Sequence, residues 1–147
     1  MSEIKFKLVG AVGSYAKGMD FPENVELVGQ IDHARVIEEM DKADVFLFPS
    51  HTEGFSIALM EAMARGLPAI ATDVGANSDM MSGGAGKTVP VGDVAGLCEA
   101  IDSLDSPQAR ESASASAVRK VEREYAMSKV VSILKACYCG NESAADK

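Results

Sequence analysis

The chain alternates short apolar runs with segments in which apolar residues recur every three or four positions. The apolar runs are short and largely unbroken, and most of them end at Gly or Pro residues. Runs of this length and composition predict strands buried in a sheet. The predicted strands occupy residues 6–12, 25–28, 45–48, 69–72 and 87–91.

The segments between and after these strands carry helix signals. Asp32 and Asp93 stand where an N-cap side chain accepts a hydrogen bond from a backbone amide, and helical spacing follows each of them. Residues 56–65 are rich in the strong helix formers Ala, Leu, Met and Glu. Two further helices are predicted near the carboxyl end, one over 107–125 and one capped by Ser128.

Unbroken apolar strands separated by helices are typical of a parallel sheet covered on both faces. The expected fold is therefore a three-layer, Rossmann-like α/β domain. A chain of 147 residues has room for one domain of ordinary size. We expect that domain to span residues 1–139 and residues 140–147 to form a disordered tail.

Composition and charge narrow the classes of function. The formal net charge is −8, with 14 basic and 22 acidic residues, which argues against nucleic acid as the main partner. No apolar run approaches the roughly 20 residues that span a bilayer. Three cysteines, an odd count, indicate no disulfide framework and favour a reducing compartment. The expected location is the cytoplasm.

Candidate chemistry lies in the loop that follows the third predicted strand. In parallel α/β sheets, ligands bind in the loops after the carboxyl ends of strands. This loop contains Gly54, which permits close approach of a ligand to the backbone, and Ser56 begins the next predicted helix. The amides of Phe55, Ser56 and Ile57 then have no acceptor within the helix and lie at its positive end. A phosphate group suits such a position.

Two glutamates flank this anion site. Glu53 lies just before it, and Glu61 lies about 7–8 Å further along the helix axis, at 1.5 Å per residue. Carboxylates in these places can accept hydrogen bonds from sugar hydroxyls, as acidic residues do on ribose in dinucleotide-binding folds. The layout fits a molecule with phosphates at its centre and a sugar at each end. The alternative is that both glutamates are solvated groups on an ordinary amphipathic helix.

The segment from Phe48 to Thr72 reads FPSHTEGFSIALMEAMARGLPAIAT. It resembles the signature of the GT-B glycosyltransferases of family 4, the group 1 glycosyl transferases, in its two glutamates separated by seven residues and the Glu-Ala-Met-Ala-x-Gly-x-Pro that begins at the second of them. Residues 25–29 resemble the family's strand that ends at the nucleobase pocket. Residues 86–93 resemble the segment that enters its penultimate helix. The resemblance covers about residues 4–139 and points to the C-terminal, donor-binding domain.

The resemblance implies a retaining transfer of a hexose from a nucleotide diphosphate sugar to a hydroxyl, as in polysaccharide biosynthesis. Glu53 would contact the transferred sugar near its anomeric centre, and Glu61 would hold the donor ribose. No metal and no cofactor besides the donor would be needed, and the chain contains no Asp-x-Asp triplet. The other implied donor-binding residues are Gly54, Phe55, Ser56 and Ile57 beside the sugar and diphosphate, and Gly29, Gln30 and Ile31 beside the base.

The chain also departs from the family pattern. Ser56 stands where the family has a smaller residue, and Gly75-Ala-Asn-Ser-Asp79 replaces the usual Gly-Gly-x-x-Glu. From the resemblance we expect that two parts of the family's enzymes lie outside this sequence. They are the central first strand, with the Arg and Lys that neutralise the departing diphosphate, and the N-terminal acceptor domain. We therefore expect negligible activity of this chain alone. We also expect altered strand pairing around the gap, or a homodimer formed through unpaired strand edges.

Two other interpretations stay open at this stage. One is a non-catalytic module that binds a nucleotide sugar or a partner protein. The other is a P-loop nucleotidase, suggested by the Gly-rich run 83–88. A P-loop requires a helix after Thr88, where Val89 and Pro90 favour a loop that enters a strand instead.

Overall fold

The structure is a computed structural model that describes residues 4–13 and 18–139. The predicted tail, 140–147, lies outside the described residues. The chain divides into two compact units at the junction of Ala43 and Asp44, and each unit is described by itself. The prediction of one domain over 1–139 stays a prediction.

The first unit contains two parallel strands and one helix. Its elements are β1 (Phe6–Val9), β2 (Val25–Gly29) and α1 (His33–Lys42). Asp32 caps α1 as predicted, because its side chain accepts a hydrogen bond from the amide of Arg35 at 3.0 Å. Among the described residues of this unit, Met40 alone is buried. The unit therefore has very little core of its own.

The second unit is built on a three-stranded parallel sheet in the order β3-β4-β5. The central strand β4 is buried along its whole length, as its unbroken apolar sequence predicts. The sequence placed the start of β5 one residue late and missed α3, which lies between β4 and β5. The elements of this part are β3 (Phe46–Phe48), α2 (Ile57–Ala64), β4 (Ala69–Thr72), α3 (Asn77–Met80) and β5 (Gly86–Val89).

Helices cover both faces of this sheet. Alternate residues of β4 face opposite sides, so Ala69 and Ala71 join one buried cluster and Ile70 joins the other. Leu59 of α2 packs in the first cluster and Leu104, after α4 (Val94–Asp102), packs in the second. The three-layer α/β architecture is confirmed for this unit.

The carboxyl-terminal helices differ in part from the prediction. α5 (Pro107–Lys120) is followed by a π-helical turn, Val121–Tyr125, and then by α6 (Met127–Tyr138). The predicted cap Ser128 is wrong, because α6 begins at Met127 and Ala126 occupies the N-cap position without a side-chain bond. The π-helical turn is an irregularity that hydrophobic spacing does not predict, because its wider ring leaves the sequence pattern close to helical.

The strands form two sheets, β1-β2 and β3-β4-β5. Within each unit, neighbouring strands run parallel. The expectation of altered strand pairing around the gap stays a prediction. The homodimer through strand edges stays a prediction.

The glycine-rich run 83–88 enters a strand. Residues 82–84 form a short 3₁₀ turn, and Gly86–Val89 is β5 rather than the start of a helix. The geometry that a P-loop requires is therefore absent at this run. The described helices include none that is both long and apolar enough to cross a bilayer.

Candidate functional site

The start of α2 lies at the carboxyl end of the sheet in the second unit. Ser56 is the N-cap, and its hydroxyl accepts a hydrogen bond from the amide of Leu59 at 3.2 Å. The four amides without an acceptor inside the helix are those of Ser56, Ile57, Ala58 and Leu59. Ser56 and Ile57 were predicted correctly as members of this set. The amide of Phe55 lies outside it, and that of Ala58 was missed, because the helix begins one residue later than the sequence indicated.

Glu53 is held at its side chain by Ser50. The Ser50 hydroxyl lies 2.8 Å from Glu53 Oε1 and 3.1 Å from the carbonyl oxygen of Thr52. One hydroxyl proton serves one acceptor at a time, and the shorter contact to the carboxylate is the stronger. Glu53 is half-buried, so water competes with this bond only in part. The side chain of Glu53 is therefore oriented before any ligand arrives.

Ser50 is in turn fixed by residues at the end of β4. The Thr72 hydroxyl donates a hydrogen bond to the carbonyl oxygen of Ser50. The side-chain amide nitrogen of Asn77 donates to the carbonyl oxygen of Thr72 at 3.0 Å. Asn77 is fully buried, and its Oδ1 has no hydrogen-bond partner among the residues that the structure describes. A chain of three hydrogen bonds thus connects the buried base of α3 to Glu53.

The backbone of this loop is held by the segment that precedes α3. The amide of Ala76 donates a hydrogen bond to the carbonyl oxygen of Gly54 at 2.9 Å. Gly75 has φ +54°, and a Cβ at this position would overlap the carbonyl oxygen of Glu53. Only glycine permits this close approach of the two loops. The departure from the family pattern that begins at Gly75 therefore lies directly against the loop that carries Glu53.

Glu61 lies on α2 itself. It is the fifth residue of the helix, about 6 Å along the axis from Ile57 at 1.5 Å per residue. The residue is half-buried, while Ala62 and Met63 next to it are fully buried. Glu61 therefore lies at the edge of the packed face of α2, in the same unit as Glu53.

A second aromatic residue reaches the loop from the carboxyl-terminal part of the chain. The ring of Tyr125 packs edge-on against Phe55, with centroids 5.4 Å apart and planes at 73°. Burial raises the pKa of the Tyr125 phenol above its ordinary value of 10.0. Hydrophobic spacing does not predict this contact, because the two residues belong to elements far apart along the chain.

The residues predicted to border a base lie in the first unit. Gly29 ends β2 with φ +77°, and Gln30 and Ile31 follow it before the Asp32 cap. The amide of Gly10 donates to the carbonyl oxygen of Gly29 at 2.8 Å. Glu53, Glu61 and the α2 amides belong to the second unit. Within the described part of the chain, no group of three His, Cys, Asp or Glu side chains is placed to hold a metal ion.

A parallel α/β sheet with a glycine-containing loop at the carboxyl end of a strand and a helix start beyond it defines a ligand-binding α/β domain. Residues 1–106 match the family described as glycosyl transferases group 1, and the chain belongs to that family. Its fold is that of the C-terminal domain of a GT-B glycosyltransferase. The family resemblance seen in the sequence is confirmed.

Several known proteins resemble this chain in sequence or in fold. The chain is similar to glycogen synthase of Mycobacterium tuberculosis, with 31% identity over 100 residues, which is 67% of this chain and 24% of the enzyme. Sucrose-phosphate synthase from Thermosynechococcus elongatus aligns over 80% of this chain and 30% of its own, with 28% identity and a TM-score of 0.71. The Anabaena protein HepE, solved in complex with UDP-glucose, aligns over 95% of this chain and 42% of its own, with 18% identity and a TM-score of 0.75. The chain spans about a quarter of the length of the glycogen synthase that it matches.

Proposed function

We propose that this chain is the donor-binding part of a retaining, metal-independent glycosyltransferase that moves a hexose from a nucleotide diphosphate sugar to a hydroxyl acceptor. The observation that carries the proposal is the pre-oriented Glu53 beside the open amides of α2, in a chain of the glycosyl transferase group 1 family. The UDP-glucose complex of HepE, which shares this fold, supports a nucleotide sugar as the ligand.

The diphosphate is assigned to the start of α2. The amides of Ser56, Ile57 and Ala58 supply hydrogen-bond donors there, and the helix dipole adds about 0.3–1 kcal/mol in favour of an anion at an exposed site. Ser56 is buried and Ile57 is exposed, so the row of amides begins at a buried residue and continues at an exposed one. A dianionic bridge placed on this row needs few basic side chains, which agrees with the acidic composition of the chain.

The two carboxylates are assigned to the two sugars. Glu53 precedes the amide row, so we place the transferred hexose beside it, with the anomeric carbon near its carboxylate. Glu61 lies further along α2, so we place the donor ribose there. Gly29, Gln30 and Ile31 are assigned to the base, and Gly54 and Phe55 to the surroundings of the sugar. Each carboxylate accepts hydrogen bonds from hydroxyls, which favours a sugar at that position.

The chain by itself is expected to bind the donor without transferring it. Departure of a nucleoside diphosphate develops negative charge, and catalysis requires donors or cations aimed at that charge as well as a held acceptor. We assign the acceptor site to a further domain of a longer enzyme, and the neutralising Arg and Lys to the family's central first strand. Loss of such stabilisation commonly costs several kcal/mol of barrier.

Calorimetric titration with UDP-glucose and GDP-mannose, in EDTA and in Mg²⁺, tests the proposal. We expect one donor to bind with the same affinity in both buffers, and Glu61→Gln to weaken binding by about fivefold, the loss of roughly one hydrogen bond. Glu111→Gln, an exposed carboxylate on α5, is the matched control and should leave the affinity unchanged. Failure of both nucleotide sugars to bind would refute the assignment. Sugar transfer by the purified 147-residue chain would refute its expected inactivity.

A further inference from the structure

We call residues 50–56, which lead from β3 to α2, the donor loop. Phe55 is the one residue between its two anchored ends. On one side, Ser50 and Ala76 hold Glu53 and Gly54 by hydrogen bonds. On the other side, the Ser56 cap fixes the start of α2. The Phe55 ring is 46% exposed, and Tyr125 is its described aromatic neighbour, at 5.4 Å between centroids. The amides at the start of α2 follow directly after Phe55. The conformation of the loop at this point therefore depends on the contacts of the Phe55 ring.

Glu124, the residue before Tyr125, is half-buried and forms an ion pair with Lys120. Lys120, at the end of α5, is buried, and its ammonium group lies 2.6 Å from Glu124 and 3.0 Å from the Ser82 hydroxyl. A buried ammonium group is costly without such partners, so the pair and the hydroxyl fix the end of α5. Glu124 and Tyr125 are consecutive residues of the π-helical turn, whose wider ring is common at functional positions in helices. The turn thus presents the Tyr125 ring from a fixed backbone.

We propose that Tyr125 is a positioning residue for the donor site, which fixes Phe55 and through it the approach of the loop to the α2 amides. This inference rests on the proposed function, because it assigns Tyr125 to the binding of the diphosphate. The edge-on geometry of the two rings is the arrangement that aromatic pairs prefer. Tyr125 acts through its ring rather than through its hydroxyl, since the contact with Phe55 is between rings.

Affinity measurements on three variants test the positioning role. We titrate each protein with two ligand pairs, UDP with UDP-glucose and GDP with GDP-mannose. The proteins are the wild type, Tyr125→Leu, Tyr125→Phe and Tyr138→Leu. We expect Tyr125→Leu to weaken the diphosphate and its sugar equally, by about two- to tenfold, the range of a lost aromatic pair. Tyr125→Phe keeps the ring and should stay within about twofold of the wild type. Tyr138 is 88% exposed on α6, and its replacement should change nothing.

A double-mutant cycle identifies the route of the effect. If Tyr125 acts through Phe55, then Phe55→Leu combined with Tyr125→Leu weakens binding no more than the stronger single variant. Fully additive losses would show that Tyr125 acts by another route and would overturn the proposal. Equal affinity of the wild type and Tyr125→Leu would overturn it as well.

A measurement on the native sequence covers the case in which Tyr125→Leu does not fold. The chain has three tyrosines, Tyr15, Tyr125 and Tyr138, so incorporation of 3-fluorotyrosine gives three ¹⁹F resonances, which single Tyr→Phe variants assign. We expect the Tyr125 resonance to shift when the bound nucleotide is added and the Tyr138 resonance to stay in place. An unmoved Tyr125 resonance at saturation would contradict the proposal. Absence of binding by the wild type would instead contradict the proposed function, so the two failures are distinguishable.

Discussion

Replacement of Ser50 by alanine should affect the binding of the sugar end of the proposed ligand and leave the binding of its diphosphate end unchanged. Ser50 Oγ donates to Glu53 Oε1 at 2.8 Å, and Glu53 is assigned to the transferred hexose. In Ser50→Ala the carboxylate loses its fixed orientation, while the amides of Ser56, Ile57 and Ala58 keep theirs. We therefore expect weaker binding of the nucleotide sugar and unchanged binding of the nucleoside diphosphate.

The expected loss of binding free energy follows from how far the hydrogen bond between Ser50 and Glu53 is buried. Hydrogen bonds to charged groups contribute about 1.5–3 kcal/mol when water is excluded. Glu53 is half-buried, so water replaces part of the lost bond and roughly 1 kcal/mol remains. That free energy corresponds to about a fivefold increase in the Kd of UDP-glucose or GDP-mannose relative to UDP or GDP.

The assay is calorimetric titration of each nucleoside diphosphate and of its sugar, that is, UDP with UDP-glucose and GDP with GDP-mannose. Ser50→Thr is the matched variant. Threonine retains the hydroxyl and should restore at least part of the selective affinity for the sugar. An equal loss for the diphosphate and its sugar would mean that Ser50 supports the loop as a whole, and the reasoning about Glu53 would then be wrong. No loss for either would mean that Glu53 does not need Ser50 for its orientation.

Three further predictions concern stability and are read by urea or thermal unfolding. Gly75→Ala should destabilise the chain by about 1–3 kcal/mol, and more than Gly83→Ala, which shares a positive φ but has open space around a new Cβ; equal losses would contradict the close approach of the loops. Leu59→Ala should cost about 2–5 kcal/mol because the side chain is fully buried, and a loss below 1 kcal/mol would contradict that burial. The hydrogen bond from Lys120 holds the pKa of Glu124 below its ordinary value of 4.5, so the stabilisation by this carboxylate is complete above that pH and is lost as pH falls through the lower folded pKa. Glu124→Gln should accordingly be less stable than the wild type at pH 7, and this difference should shrink as the pH falls below 4.5; a difference that does not change with pH would show that the ion pair contributes nothing.

The sequence was sufficient wherever the determining interaction is local. Asp32 and Asp93 cap their helices as predicted, because each side chain accepts a hydrogen bond from the amide three residues ahead. The unbroken apolar run of β4 likewise predicts a strand buried on both faces. Ser128 shows the limit of this reasoning, because a capping residue type next to a helical pattern does not fix which residue leaves helical geometry first.

The tertiary structure alone decided how the candidate site is assembled. The bond from Thr72 to the Ser50 carbonyl joins positions 22 residues apart, and it forms because β3 and β4 are parallel neighbours whose carboxyl ends lie side by side. The contact between Phe55 and Tyr125 depends on where α5 ends its path across the sheet and on the π-helical turn that follows. Spacing along a chain fixes which faces are apolar, whereas the meeting of distant side chains requires packed layers that bring them within bonding distance. The pattern thus predicted the kind of fold and the two candidate glutamates, and the packing decided what holds Glu53 in place.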